Sequence, residues 1–346
     1  MKRPLAPTTA VGGTILLLSG TLSGCSTTAT SSAAHPATIG VDVPRADSDF
    51  WKAYARYLQQ DIGADRLNVL PVTQSDGDSA KFTANIKALA NQHPKAIVMA
   101  PQDTTTTTML LDDLFAKHIS TVSVDTVPES GNTYMVVRTD NRSYGTKACE
   151  FLGKQLHGRG KVAELQGALD SINGYDRSQG FAYCMRTEFP GIRVIELPTD
   201  WKADVATDKL QSTLATDPDL NGLYLQAGGV FLQPTLTLLQ QKGLLKPAGQ
   251  TGHLTIVSND GISQEYDAIR KGEIDATVSQ PADLYAKYAL YYAQAAAAGK
   301  TFQAGPTDHN STIVLLPNGL EDQLPAPLVT KDNVNDPTLW ANRQDN

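Results

Sequence analysis

Reactive side chains are scarce in this sequence. Its 346 residues include three cysteines and six histidines. No histidine lies three to five residues from another, the spacing that helical and loop metal sites use. A Gly-x-Ser-x-Gly elbow, a His-Glu-x-x-His pair and a Walker-type phosphate loop are all missing, which removes the common hydrolase, metalloprotease and nucleotidase signatures. Gly158-Arg159-Gly160 precedes a strand-like segment instead of opening a helix after one, so it is no dinucleotide fingerprint. No metal, no cofactor and no enzyme activity is expected. Basic blocks are lacking too: 29 Lys and Arg stand against 36 Asp and Glu, a formal charge of −7. That balance argues against nucleic acid and against an electrostatic membrane contact. No apolar run is long enough to span a bilayer; the stretch around Thr14–Leu22 is too short.

What stands at the N-terminus is a secretory signal. Met1-Lys2-Arg3, the short apolar stretch and Leu22-Ser23-Gly24-Cys25 follow one another, the order of charged, hydrophobic and small-residue regions that a signal peptide needs. The Leu-Ser-Gly-Cys end resembles a bacterial lipobox. The resemblance implies cleavage after residue 24 and lipid on Cys25, hence an exported protein tethered to the extracytoplasmic face of the membrane or in the periplasm. Several acyl chains on one cysteine hold stably where one does not. Residues 25–36 then form a tether: Ser26–Pro36 is small and polar and spans up to roughly 35–40 Å when extended. Loss of Lys2 and Arg3 leaves 27 basic against 36 acidic side chains, a charge of −9. Cys149 and Cys184 remain, and outside the cytoplasm an even pair favours a disulfide over two buried thiols. Spacing alone does not establish that contact.

From Thr38 onward, apolar strands alternate with amphipathic helices. Strands are expected at Thr38–Val43, Asn68–Val72, Ala96–Met99 and Thr121–Val124, with helices at Phe50–Ile62, Ala80–Gln92 and Thr104–Lys117. Thr104–Thr108 reads as N-capping of the last of these, and Asp112-Asp113 as a solvated helix face. The pattern then restarts. Helices are expected at Tyr144–Leu156, Asp176–Glu188, Lys202–Thr216, Val230–Lys242 and Asp283–Ala298. Strands are expected at Lys161–Gln166, Arg193–Leu197, Gly222–Leu225, Thr255–Ser258, Ala276–Val278 and Ser311–Val314. Strand–helix alternation of this kind predicts an α/β fold with two doubly wound parallel-sheet, Rossmann-like lobes.

Ligands of such sheets bind beyond the carboxyl ends of the strands. At those ends stand Ser48, Phe50 and Trp51, then Asp125, Asn173, Arg177, Trp201, Asp260 and Gln280. Carboxylates and amides pair with hydroxyls, an arginine fork donates to oxygens, and aromatic faces cover sugar C–H groups. The set suits a small neutral polyhydroxy ligand. Plainer roles are open to individual members: Phe50 or Trp51 as core, Asp125 and Asp260 as helix caps, Arg177 as a surface ion pair.

Asp49-Phe50-Trp51, Val124-Asp125, Thr139-Asp140-Asn141 with Gly145, Glu164-Leu165-Gln166-Gly167, Arg177-Ser178-Gln179-Gly180-Phe181, Asp200-Trp201, Asn259-Asp260-Gly261 and Ala276-Thr277-Val278-Ser279-Gln280 occur in that order. With them, the chain from Thr38 to Arg343 resembles a type I periplasmic binding protein of the ribose-binding family. The resemblance implies two lobes, 37–139 plus 281–325 and 140–280 plus 326–346. Three crossing segments near Thr139–Asn141, Gln280–Pro281 and Pro325–Pro327 join them. It further implies a sugar or polyol in the cleft, hinge closure, a monomer, and delivery to an ABC transporter permease. Two departures stand out: Thr126 where many members carry arginine, and Gln226-Ala227-Gly228-Gly229 where many carry Asn-Asp. Ribose itself is therefore doubtful, with Gln226 able to compensate or the glycines to make room. A module feeding a membrane sensor or chemoreceptor is the alternative. A repressor with the same lobes would need a basic helix-turn-helix, which this N-terminus lacks.

Overall fold

The structure, a computed structural model, describes residues 38–101 and 107–343. The signal sequence, Cys25, the tether and the start of the threonine run lie outside the described residues. The first stretch of chain runs β1 (Ile39–Val43), α1 (Asp49–Ala64), β2 (Thr73–Gln74), α2 (Ser79–Ala90), β3 (Ala96–Met99), α3 (Thr107–Ala116), β4 (Ser120–Val124) and β5 (Met135–Thr139). The second runs α4 (Asn141–Gln155), β6 (Gly160–Gln166), α5 (Ile172–Glu188), β7 (Ile192–Pro198), α6 (Ala203–Thr216), β8 (Gly222–Leu225), α7 (Gly228–Gln241), β9 (Thr255–Asp260), α8 (Ser263–Lys271) and β10 (Ala276–Ser279). The chain then adds α9 (Ala282–Ala297), β11 (Gly305–Pro306), β12 (Thr312–Leu316), β13 (Gly319–Leu324) and β14 (Leu328–Thr330), and ends in a 3-10 turn at Trp340–Arg343.

Two sheets result. One has eight strands in the order β11-β12-β13-β5-β4-β3-β1-β2, the other six in the order β14-β10-β9-β8-β6-β7. Their interiors are parallel, while β11, β12 and β14 pair antiparallel at the edges. β1, β3 and β5 are buried along their whole length, as strands covered by helices on both faces must be; β3 reads as an unbroken apolar run, while β1 carries Asp42 and β5 carries Arg138. The chain passes from the first sheet to the second between β5 and α4. It returns between β10 and α9, which packs on α1, β3 and β4, and crosses again between β13 and β14. The C-terminal turn touches elements on both sides. Trp340 meets Phe50 of α1 edge-on at 6.4 Å, and Tyr57 donates to the Trp340 carbonyl at 2.9 Å. The same turn packs on α8, where Arg270 donates to Asn342 Oδ1 at 2.7 Å and to the Val334 carbonyl.

Several elements differ from expectation. Asn68–Val72 is not a strand: only Val69 bridges to Ile39, and the ladder resumes at Thr73. Pro71 has no N–H to donate and interrupts it. α5 starts at Ile172, four residues before the expected Asp176. Asn173 and Arg177 are therefore one helical turn apart on one face. β5, α8 and β13 did not stand out as elements. Cys149 on α4 and Cys184 on α5 form a disulfide with Cα atoms 6.1 Å apart. Close helix approach accompanies it, since a Cβ on Gly145 would lie 2.0 Å from the Arg177 carbonyl oxygen.

Candidate functional site

Between the two sheets, at the carboxyl ends of their strands, lies a cavity of about 450 Å³, a size ordinary for small-molecule sites. All nine residues singled out above line it. From the first lobe come Ser48, Phe50 and Trp51 at the start of α1 and Asp125 after β4. From the second come Asn173 and Arg177 on α5, Trp201 before α6 and Asp260 at the end of β9. Gln280 sits on the crossing segment.

A continuous hydrogen-bond chain runs through them. Asn173 Nδ2 donates to Asp125 Oδ2 at 2.8 Å, and Gln280 Nε2 donates to Asp125 Oδ1 at 2.9 Å. Arg177 Nη2 donates in turn to Gln280 Oε1 at 3.0 Å. Arg177 also donates from Nε to Asn141 Oδ1 at 2.7 Å and from Nη1 to the Gln226 carbonyl. Its guanidinium lies over the rings of Tyr144 and Trp201, 5.0 and 5.7 Å from their centroids. Of its five N–H groups, one on each terminal nitrogen is left for a ligand. Arg177 is thus no surface ion pair; it is a buried node that positions the cavity wall and still has donors to offer. Asn173 Oδ1 is buried with no partner, an acceptor that a ligand hydroxyl can satisfy.

The carboxylates are tuned by burial. Desolvation raises the Asp125 pKa, opposed first by the Arg177 charge. Desolvation pushes Asp260 up to about 6, again opposed by Arg177. Asp260 Oδ2 accepts from the Gly229 N–H at 2.9 Å, so it caps α7 from a neighbouring strand while lining the cavity. Behind it, burial and the Asp260 charge push Glu265 up to about 8, where it accepts from the Ile262 N–H at 2.9 Å and from Thr277 at 3.0 Å. Asp125, Trp201 and Asp260 all adopt left-handed φ values of 66°, 58° and 110°, conformations that cost on the order of 1–3 kcal/mol each and cluster at functional sites.

The aromatics divide their work. Phe50, 4% exposed, abuts Trp51, Tyr285 and Trp340 edge-on and belongs chiefly to the core, whereas Trp51 is half-buried. Trp201 stacks on Phe231 with ring planes 12° apart. Its ring lies so close over Gly167 that a Cβ there would sit 2.0 Å away. Ser48 caps α1, accepting from the Trp51 N–H at 3.3 Å.

Gln226 does not take the place of the Asn-Asp pair. Its amide faces the interior, donating to Glu164 at 2.7 Å and Ser178 at 2.8 Å and accepting from the Gly167 N–H at 2.9 Å. Arg45 and Asp47, joined at 2.5 Å, also line the cavity, as do Pro101, Thr126 and Ser171. Sequence reasoning passed over Arg45 and left Asp47, a strand-end residue, out of the ligand set, although both fill the loop after β1 that carries Ser48. Among the described residues no cluster of His, Cys, Asp or Glu could hold a metal ion, and no helix is long and apolar enough to cross a membrane.

Residues 39–301 match a family model described as periplasmic binding protein domain. Over 271 residues the chain is 22% identical to the ribose import binding protein of Bacillus subtilis, covering 77% of this chain and 83% of that protein. Over 276 residues it is 25% identical to the D-allose-binding periplasmic protein of Escherichia coli, covering 77% and 86%. In fold it is similar to an ABC transporter solute binding protein from Mycobacterium smegmatis, solved with bound glycerol. The TM-score is 0.73, identity 23%, and coverage 87% of this chain and 96% of that one.

Proposed function

We propose, on the premise that this chain belongs to the periplasmic binding protein domain family, that it is the extracytoplasmic solute-binding subunit of an ABC importer for a sugar or polyol. The hydrogen-bond chain Asn173–Asp125–Gln280–Arg177 carries the reading. It joins both lobes and one crossing segment around a single cavity, so a ligand that bonds Asp125 and Arg177 together favours the closed arrangement. Closure is selective because a ligand stabilises it only by its differential affinity for the closed state. Ser48, Trp51, Asp125, Asn173, Arg177, Trp201, Asp260 and Gln280 contact the ligand in this reading, and Phe50 backs Trp51. The monomer is anchored by lipid on Cys25 and delivers its ligand to a membrane permease. Relatives named for ribose and D-allose support a sugar as cargo.

The test is a thermal-shift screen of residues 26–346 against pentoses, hexoses, polyols, cyclitols and sugar phosphates. Ligand at 100 times its dissociation constant adds about 2.7 kcal/mol, a rise of several degrees. A hit confined to neutral polyhydroxy compounds is expected. Silence across all of them would remove sugar binding from this cleft.

A further inference from the structure

The cavity has a closed end and an open one. Asp125, Asn173, Arg177, Asp260 and Gln280 line the first and are all buried. At the second, Arg45, Ser171 and Ala203 are partly exposed and Asp47 is exposed. Lobe meets lobe at three points around the cavity. Asn173 donates to Asp125 at 2.8 Å, Gln264 Nε2 of α8 donates to Asp49 Oδ2 of α1, and a Cβ on Gly229 would lie 3.5 Å from the Ser48 Cβ. Among the described residues no hydrogen bond joins the Arg45–Asp47 loop to Ser171 or Ala203, and the mouth lies between them.

The volume exceeds that of one sugar ring. About 450 Å³ is room for roughly fifteen waters at ~30 Å³ each. A hexose, whose bonded atoms take less room than separate waters, fills roughly half of it. The closed end already suffices for one ring: Asp125 and Asp260 accept, Asn173 Oδ1 has no partner, and Arg177 keeps two N–H groups. The remaining volume runs toward the mouth, and the mouth is polar. Arg45 grips Asp47 through Nε at 2.5 Å and through Nη2, which leaves further N–H groups on Arg45 and lone pairs on Asp47 in fixed directions. Across from them, the Ser171 hydroxyl makes no capping bond to α5, and α6 opens at Ala203 with no side-chain cap, so first-turn N–H groups are left there.

We infer, resting on the reading just proposed, that the ligand has two units joined by a glycosidic bond: one polyhydroxylated ring in the closed end, and a second, sugar or cyclitol, in the mouth between Arg45–Asp47 and Ser171–Ala203. A lone ring leaves the mouth to solvent and forgoes its contacts. A second ring meets donors and acceptors that are already oriented, which spares part of the ordering cost of binding. Arg45 and Asp47 cancel in charge, which suits hydroxyls and not a phosphate or carboxylate.

The experiment is titration calorimetry of the wild-type protein with single units and the two-unit compounds that contain them. These are D-glucose with trehalose, maltose and cellobiose, D-galactose with melibiose and lactose, D-xylose with xylobiose, and myo-inositol with galactinol. At least one two-unit compound should bind at least tenfold tighter than either of its units. Arg45→Ala should lower that ratio at least threefold, and so should Ser171→Phe, which fills the mouth from the other lobe. Single units that bind as tightly as every compound containing them overturn the inference and leave sugar binding standing, and so does a ratio that neither variant changes. Failure of every compound, with none of the wider screen binding either, overturns both.

Discussion

Arg177→Met isolates the cation that holds the cleft together. In the wild-type protein, Arg177 supplies three hydrogen bonds to Asn141, Gln226 and Gln280, and its charge favours ionisation of both Asp125 and Asp260. Removing one partner from such a buried network costs about 3–5 kcal/mol, a large share of the roughly 5–15 kcal/mol that folds a domain. The pH dependence is more diagnostic than the size. Asp260, raised to about 6 when folded from about 3.9 unfolded, contributes stability that is present below pH 4 and lost as pH rises through 6. The wild-type loss is roughly 3 kcal/mol. Without Arg177 both carboxyl groups rise further, and keeping Asp260 charged costs more at pH 8, above its value of about 6, than at pH 5, below it. Urea unfolding of the ligand-free variant and wild type at both pH values should therefore give a destabilisation larger at pH 8, by about 1–2 kcal/mol. Arg177→Lys, which keeps the charge but not the fork, should show a smaller difference. A destabilisation equal at pH 5 and 8 would refute the electrostatic role and leave Arg177 as a packing residue.

Gly167→Ala places a methyl where the Trp201 ring lies, so the indole must swing aside; ligand affinity by tryptophan fluorescence should fall at least tenfold, and an unchanged affinity would detach Trp201 from the ligand. Cys184→Ala opens the link between α4 and α5 and should lower stability in denaturant by roughly 2–4 kcal/mol; a loss below about 1 kcal/mol would mean that helix packing alone holds the pair. Cys25→Ser should move the protein from the membrane fraction to the soluble or unprocessed one, and continued membrane retention would end the lipid-anchor proposal.

Much of the architecture was legible because buried parallel strands announce themselves. Ala96–Met99 and Gly222–Leu225 were bounded to the residue, since a short apolar run flanked by turn residues is too brief for a helix and too apolar for a loop. The missed elements carry polar residues whose partners lie far away in sequence. β13 reads Gly-Leu-Glu-Asp-Gln-Leu, yet Glu321 and Asp322 are buried. Tyr292 and His309 bond Asp322 at 3.0 and 2.9 Å. β5 buries Arg138 at 3% exposure, which disguises a core strand. α8 is nine residues long and mostly polar. At the site, strand-end position together with the family resemblance nominated nine residues, all of which line the cavity. Which way each side chain turns was not legible. The inward amide of Gln226, the Asp260 cap on α7 and the triple engagement of Arg177 follow from neighbours 31 to 103 positions away.

The C-terminal turn gives the molecule a lever arm outside the cleft. Trp340 is pinned to α1 through Phe50 and Tyr57, while Asn342 and Val334 are pinned to α8 through Arg270. Any rotation of one lobe against the other must strain or slide this strap, which reaches the back of the cavity wall at Phe50. A fluorophore on an exposed strap residue such as Asn335 would register lobe rotation without entering the cavity, turning the protein into a reporter for its own cargo.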